Sequence, residues 1–142
     1  YLVLGHHGAA GACSLAERQL IINEADIRFV VLALPGIKDT IKEVCTSKRW
    51  HGDLFHAEEI ETSIMLAVFP ELVNMEKAVC EYPEKNPLMG SMSEYWDIRG
   101  KSGVFGDATA ATAEKGKKLA EAIIANSVNM IETHQNMIKN EK

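Results

Sequence analysis

Tyr1-Leu2-Val3-Leu4-Gly5-His6-His7-Gly8-Ala9-Ala10-Gly11 opens the chain with an apolar run that ends in glycine and passes into a turn of small residues. Such a run, bounded by glycine, reads as a buried parallel strand, because both faces of a parallel sheet are covered. A helix follows to about Asn23, with Ser14 and Glu17 at capping-box spacing, unless the turn becomes helical slightly earlier. Residues 28–34 are rich in β-branched side chains and read as a second strand, closed by Pro35-Gly36. Strand, turn, helix, strand is one βαβ unit. Its right-handed crossover favours an α/β sheet flanked by helices.

Further along, residues 37–45 alternate like a short amphipathic helix, and a second helix is expected over residues 57–68. Residues 70–101 hold three of the four prolines and read as loop with short irregular pieces. Residues 103–106 turn into a long final helix over about 109–140, capped by Asp107 or Thr109. Its stripe of Ala120, Ile123, Ile124, Ser127, Val128, Ile131 and Ile138 is expected to face inward. Lys115, Lys117, Lys118 and Glu121 are expected in solvent.

The chain has 142 residues, 46% of them hydrophobic, which is enough for one domain with a sizeable core. A net charge of -5 and the lack of a large basic cluster argue against a nucleic-acid-binding surface. No apolar run approaches the ~20 residues of a spanning helix, and a secretory signal is not expected. Cys13, Cys45 and Cys80 are widely spaced, without a C-x-x-C pair, so reduced thiols in a cytoplasmic protein fit best. Cys13 reads as a small buried thiol. The chain opens on a strand with no initiator methionine, which is expected of a fragment.

The helix over residues 57–68 carries the first chemical signal. Wound at 3.6 residues per turn, Ala57, Ile60, Ile64, Ala67 and Val68 gather on one face, and Glu61 falls on the same arc. Glu59 points the other way. A carboxylate in an apolar stripe costs several kcal/mol unless a cation, a hydrogen-bond network or a proton compensates it. Glu61 therefore wants a partner, for which a metal ion or a basic side chain would serve, or else it sits at the rim of the face and reaches solvent.

A second signal comes from His6 and His7, just past the first strand, where open α/β sheets bind ligands. Small residues there let a ligand approach the backbone, and imidazoles are candidates for metal binding or proton transfer. A dinucleotide site is not expected: the spacing is Gly5-x-x-Gly8-x-x-Gly11, and the second strand ends in Leu34-Pro35 without a ribose-binding acid. His56 stands just before the Glu61 helix and can face the same crevice. His51 and His134 read as exposed. Trp50, Phe55 and Trp96 are candidate pocket walls, although aromatic residues more often simply pack.

These pieces resemble the creatininase-like amidohydrolases. Gly5-His6-His7-Gly8 resembles the family's G-H-G-G-N turn, and His56-Ala57-Glu58-Glu59-Ile60-Glu61-Thr62-Ser63 its H-A-G-E-x-E-T-S motif. Residues 102–107 and 111–116 resemble its S-G-V-x-G-D and A-T-A-E-K-G segments, in the same order along nearly the whole chain. The resemblance implies a three-layer α/β/α fold with a mostly parallel, Rossmann-like sheet, and residues 1–142 as one domain that lacks its N-terminal portion. It implies a metal-dependent hydrolase of a cyclic amide or related ring, with two divalent ions (zinc, manganese or iron) in the complete enzyme. His6 and Glu61 match metal ligands, and His56 matches the histidine that protonates the leaving group. His7 and Trp50 would touch substrate. A homo-oligomer, often a hexamer, is also implied.

Departures from the pattern matter as well. The family's remaining ligands lie upstream of its glycine turn, a region this sequence does not include. Two ligands are too few for a pair of catalytic ions, so the others are expected from absent sequence or another chain, and these residues alone should bind metal weakly and not turn over. His7 and Glu58 replace glycines, and Ala9 stands where asparagine is usual. Gly8 occupies the position of an acid in creatinine-hydrolysing members, which argues against creatinine and leaves a cyclic ketone or sugar-derived ring open. The alternative is a non-catalytic α/β assembly subunit that keeps the family core.

Overall fold

The computed structural model of the chain describes residues 1–23, 26–50, 56–84 and 100–140. Their regular elements are β1 (Leu2–Val3), α1 (Ala10–Ile22), β2 (Val31–Leu32), α2 (Ile37–Val44), α3 (Glu59–Val68), β3 (Cys80–Glu81), β4 (Gly106–Asp107) and α4 (Ala113–Asn140). Two compact units divide them. One comprises Tyr1–Lys38 and the stretch from Ala122 onward; the other is Asp39–Glu121. His51, Phe55 and Trp96 lie outside the described residues.

In the first unit, β1 and β2 pair in parallel, with Leu2 opposite Val31 and Val3 opposite Leu32. The Leu2 N–H donates to the Val30 carbonyl at 2.9 Å, and the Leu4 N–H to that of Leu32 at 2.8 Å. The α/β class read from the βαβ order holds. β2 is much shorter than the seven residues of 28–34 suggested, because a ladder extends no further than its partner, and β1 is two residues long. A 3-10 turn at His7–Ala9 runs straight into α1, which therefore starts ahead of Ser14. Ser14 sits inside the helix, and no side chain caps Ala9. Cys13 is the buried residue of α1, as a small thiol should be. At the Pro35-Gly36 turn, a Cβ on Gly36 (φ 75°) would lie 2.1 Å from the Asn126 amide nitrogen, so glycine is required there.

His134 is not the plain exposed histidine it was expected to be. Its Nδ1 lies 2.7 Å from the Tyr1 hydroxyl, and the two rings meet edge to face. Along α4, Ser127 is buried and Ile123, Ile131 and Ile138 are half-buried, but Ile124 and Val128 face solvent. The inward stripe is thus narrower than its hydrophobicity implied.

The second unit holds most of the core: Trp50, Ile60, Val104, Phe105, Ala108, Ala111 and Leu119. β3 and β4 pair antiparallel, with Cys80 opposite Asp107 and Glu81 opposite Gly106. An isolated antiparallel bridge joins His56 to Phe105. Asp107 caps a 3-10 turn at Ala108–Ala110 and not the long helix. α4 starts after Thr112, whose hydroxyl accepts from the Lys115 N–H at 3.2 Å. The start of α4 presses on α3 at Gly116, where a Cβ would sit 1.7 Å from the Ser63 carbonyl oxygen. No helix among the described residues is long and apolar enough to cross a membrane.

Candidate functional site

His6 ends the β1 turn on the surface of the first unit, and its Nδ1 accepts from the Gly8 N–H at 3.1 Å. A Cβ on Gly8 would come within 2.8 Å of the ring, so glycine lets the imidazole fold over the backbone. The lone pair of Nδ1 is directed at that N–H. His7 is exposed in the following 3-10 turn.

The second unit contains three carboxylates within four residues, and the structure sorts them by partner. Glu59 is fully buried, with 0% exposure. Its carboxylate accepts from the Thr46 N–H (2.9 Å), the Ser47 N–H (2.8 Å), the Thr46 hydroxyl and the Lys115 ammonium. Burial alone would raise its pKa, but Lys115 and the Thr46 and Ser47 donors outweigh that and bring it to about 2. Glu58 is also buried, caps α3 by accepting from the Ile60 N–H at 2.9 Å, and pairs with Arg49 at 3.1 Å. Burial raises its pKa, opposed by the Ile60 N–H and Arg49.

Glu61 is the third, and its side chain is 35% exposed. Of the two readings of Glu61, the rim position holds and burial in the apolar stripe does not; the buried acid is Glu59. Glu61 is at the rim, while Glu59 lies inward with Ile60 and Ser63. The wheel failed because α3 begins at Glu59 and its inner face is set by contact with polar partners: Ser63 Oγ accepts from the Thr112 N–H at 3.1 Å, and Lys115, expected in solvent, reaches in to Glu59.

Glu61 Oε2 accepts from the Ala57 N–H and lies 4.0 Å from His56 Nδ1. Ala57 has a left-handed φ of 51°, which folds the chain so that its N–H meets this carboxylate. Oε1 makes no hydrogen bond to the described residues. Glu61 thus offers one held and one open oxygen beside an imidazole, whereas Glu58 and Glu59 are each neutralised by a protein cation. An open carboxylate oxygen beside an imidazole is donor chemistry of the kind divalent ions take. Among the described residues, however, no group of three or more His, Cys, Asp or Glu side chains is arranged to hold a metal.

Trp50 is 5% exposed, so little of its ring is open to a substrate. Its indole N–H donates to the Pro83 carbonyl at 2.8 Å, and its ring stacks on Phe105 at 4.8 Å. Phe105 reaches His56 in turn, with ring centroids 5.7 Å apart. Neither Phe105 nor the cations Arg49 and Lys115 stood out in the sequence. The only available sign was arithmetic: three clustered acids need compensation, and nothing local says which cation supplies it.

The chain is α/β, with an imidazole in a glycine turn of its first unit and a histidine and a carboxylate at a helix start in its second. The family model for creatininase (creatinine amidohydrolase) matches residues 1–131, and the chain belongs to that family. It is similar to 3-dehydro-scyllo-inosose hydrolase of Thermotoga maritima, at 32% identity over 108 residues, 63% of this chain and 35% of that protein. A solved manganese creatininase superposes with a TM-score of 0.72 at 25% identity, covering 94% of this chain and 55% of that one. A mutant creatininase of Zn–Zn type gives 0.67 at 25% identity, covering 88% and 50%. The chain therefore spans about a third of the curated relative and about half of the solved structures.

Proposed function

We propose that this chain supplies part of the site of a metal-dependent hydrolase acting on a cyclic amide or a related ring. His6 and Glu61 are each assigned to divalent metal, zinc or manganese by the similarity to the two solved creatininases, and His56 to proton transfer. The observation that carries this reading is the sorting of the acids: only Glu61 keeps an oxygen open while sharing an imidazole neighbour. Divalent metal chemistry supplies a hydroxide nucleophile near neutral pH and polarises a carbonyl. In the ring-opening step, His56 holds a proton at its imidazole and delivers it to the departing atom. Glu61 stands beside that ring, with Oε2 4.0 Å from Nδ1. His6 must turn its Nδ1 away from the Gly8 N–H to act through that nitrogen. The similarity to an inosose hydrolase favours a sugar-derived ring over creatinine. One creatininase-like domain, a small-molecule substrate, a homo-oligomeric assembly such as a hexamer in the cytoplasm and a role for His7 at the substrate belong to the same proposal.

Zinc and manganese titrations of the complete polypeptide test it. Glu61→Gln and His6→Ala should each weaken binding at least tenfold, and Glu59→Gln should not. His56→Gln should bind metal normally and lose turnover by roughly 10²-fold or more. Unchanged metal affinity in both ligand variants would overturn the assignment. A second reading, a non-catalytic assembly subunit, is favoured by the His6–Gly8 bond and by Glu58 standing where the family has glycine. It expects no stoichiometric metal in the complete polypeptide.

A further inference from the structure

We infer that Phe105, backed by Trp50, is a positioning residue that holds the His56 imidazole in its working orientation; this rests on the assignment of His56 to proton transfer. His56 lies ahead of α3, separated from it by left-handed Ala57 and the cap residue Glu58, so helical hydrogen bonding does not restrain it. Its backbone is instead tied to the β4 side of the unit: the Phe105 N–H donates to the His56 carbonyl at 2.9 Å, the contact that makes the isolated bridge. The same residue then restrains the side chain. The Phe105 and His56 rings meet at 52° with centroids 5.7 Å apart, and Glu61 Oε2 stands 4.0 Å from Nδ1.

Phe105 is suited to this task because it is packed on both sides. It is 2% exposed, and it stacks on Trp50 with 30° between the planes. Trp50 is pinned by its N–H bond to Pro83. The result is a column, from Pro83 through Trp50 and Phe105 to the imidazole, in which each member limits the rotation of the next. Stacked and tilted aromatic pairs of this kind add orientation beyond simple burial. An imidazole that is one-third exposed has no comparable restraint from solvent.

Carbon-13 relaxation of the His56 ring, in histidine-labelled protein, reads this directly. Phe105→Leu keeps an apolar side chain in the core but removes the ring, and the His56 ring order parameter should fall by roughly a third, toward values of flexible groups. Ile60→Val trims the same core without removing a ring, so it should lower Tm without changing that order parameter. Should Phe105→Leu fail to fold, Trp50→Leu removes only the backing ring and should give a smaller loss in the same direction. A His56 ring as ordered in these variants as in the parent overturns the inference, as does an equal loss in Ile60→Val. Full turnover in His56→Gln would instead remove the functional assignment and leave the ring-order result standing.

Discussion

Glu58 and Glu59 are adjacent, both buried, and push stability in opposite directions as pH changes. Glu59 is held at about 2 against an ordinary value of 4.5, so its contribution is complete above pH 4.5 and is lost as pH falls from there toward 2. That loss is worth up to roughly 3 kcal/mol. Glu58 is raised by burial; it contributes most when protonated, and less as pH climbs through its folded value. We expect Glu59→Gln to flatten the acid limb of a urea-denaturation stability profile. At pH 7 it should cost about 3 kcal/mol, because Lys115 loses its counter-charge in a largely buried setting. Glu61→Gln should cost under about 1 kcal/mol, since its carboxylate is at the rim. Equal losses in both would mean that the acids are not divided between structure and chemistry.

Gly116 and Gly11 both lie inside helices, yet their environments predict opposite outcomes on substitution. A Cβ at Gly116 meets the Ser63 backbone, so the α3–α4 crossing must open; a Cβ at Gly11 meets nothing within 4 Å. Gly116→Ala should destabilise by more than about 2 kcal/mol, while Gly11→Ala should stabilise by up to about 1 kcal/mol through helix propensity. Thermal unfolding of the two variants checks both signs. At this scale the sequence was a good guide to which elements exist: α1, α2, α3 and α4 all lie where periodicity placed them. Their ends were harder. Ser14 had the right spacing for a cap but lies within α1, and Thr112 caps α4 in place of Asp107 or Thr109, because a cap depends on where the preceding chain turns. The candidate site was legible through residue type and order at His6, His56 and Glu61. Its packing was not, since the partners that sort three acids, Arg49 and Lys115, are brought to them only by the fold.

Core residues are distributed unequally between the two units, and this sets where the molecule should open first. Ile60, Leu119, Glu59 and Ser63 are fully buried in the second unit. In the first, α1 buries Cys13 alone, while Leu15, Ile21 and Ile22 are exposed. Burying a side chain such as Ile60 contributes about 2–3 kcal/mol, so segments that bury few such groups open at lower free energy than segments that bury many. α4 makes the comparison within one element, because residues 113–121 belong to the second unit and the remainder to the first. Native-state amide exchange should find Ile60 and Leu119 among the slowest sites, exchanging near the global unfolding limit. Amides of α1 and of α4 beyond residue 128 should exchange at least tenfold faster, through local openings. Uniform protection along α4, or an α1 as slow as α3, would show that the first unit draws stability from burial that its own core residues do not account for.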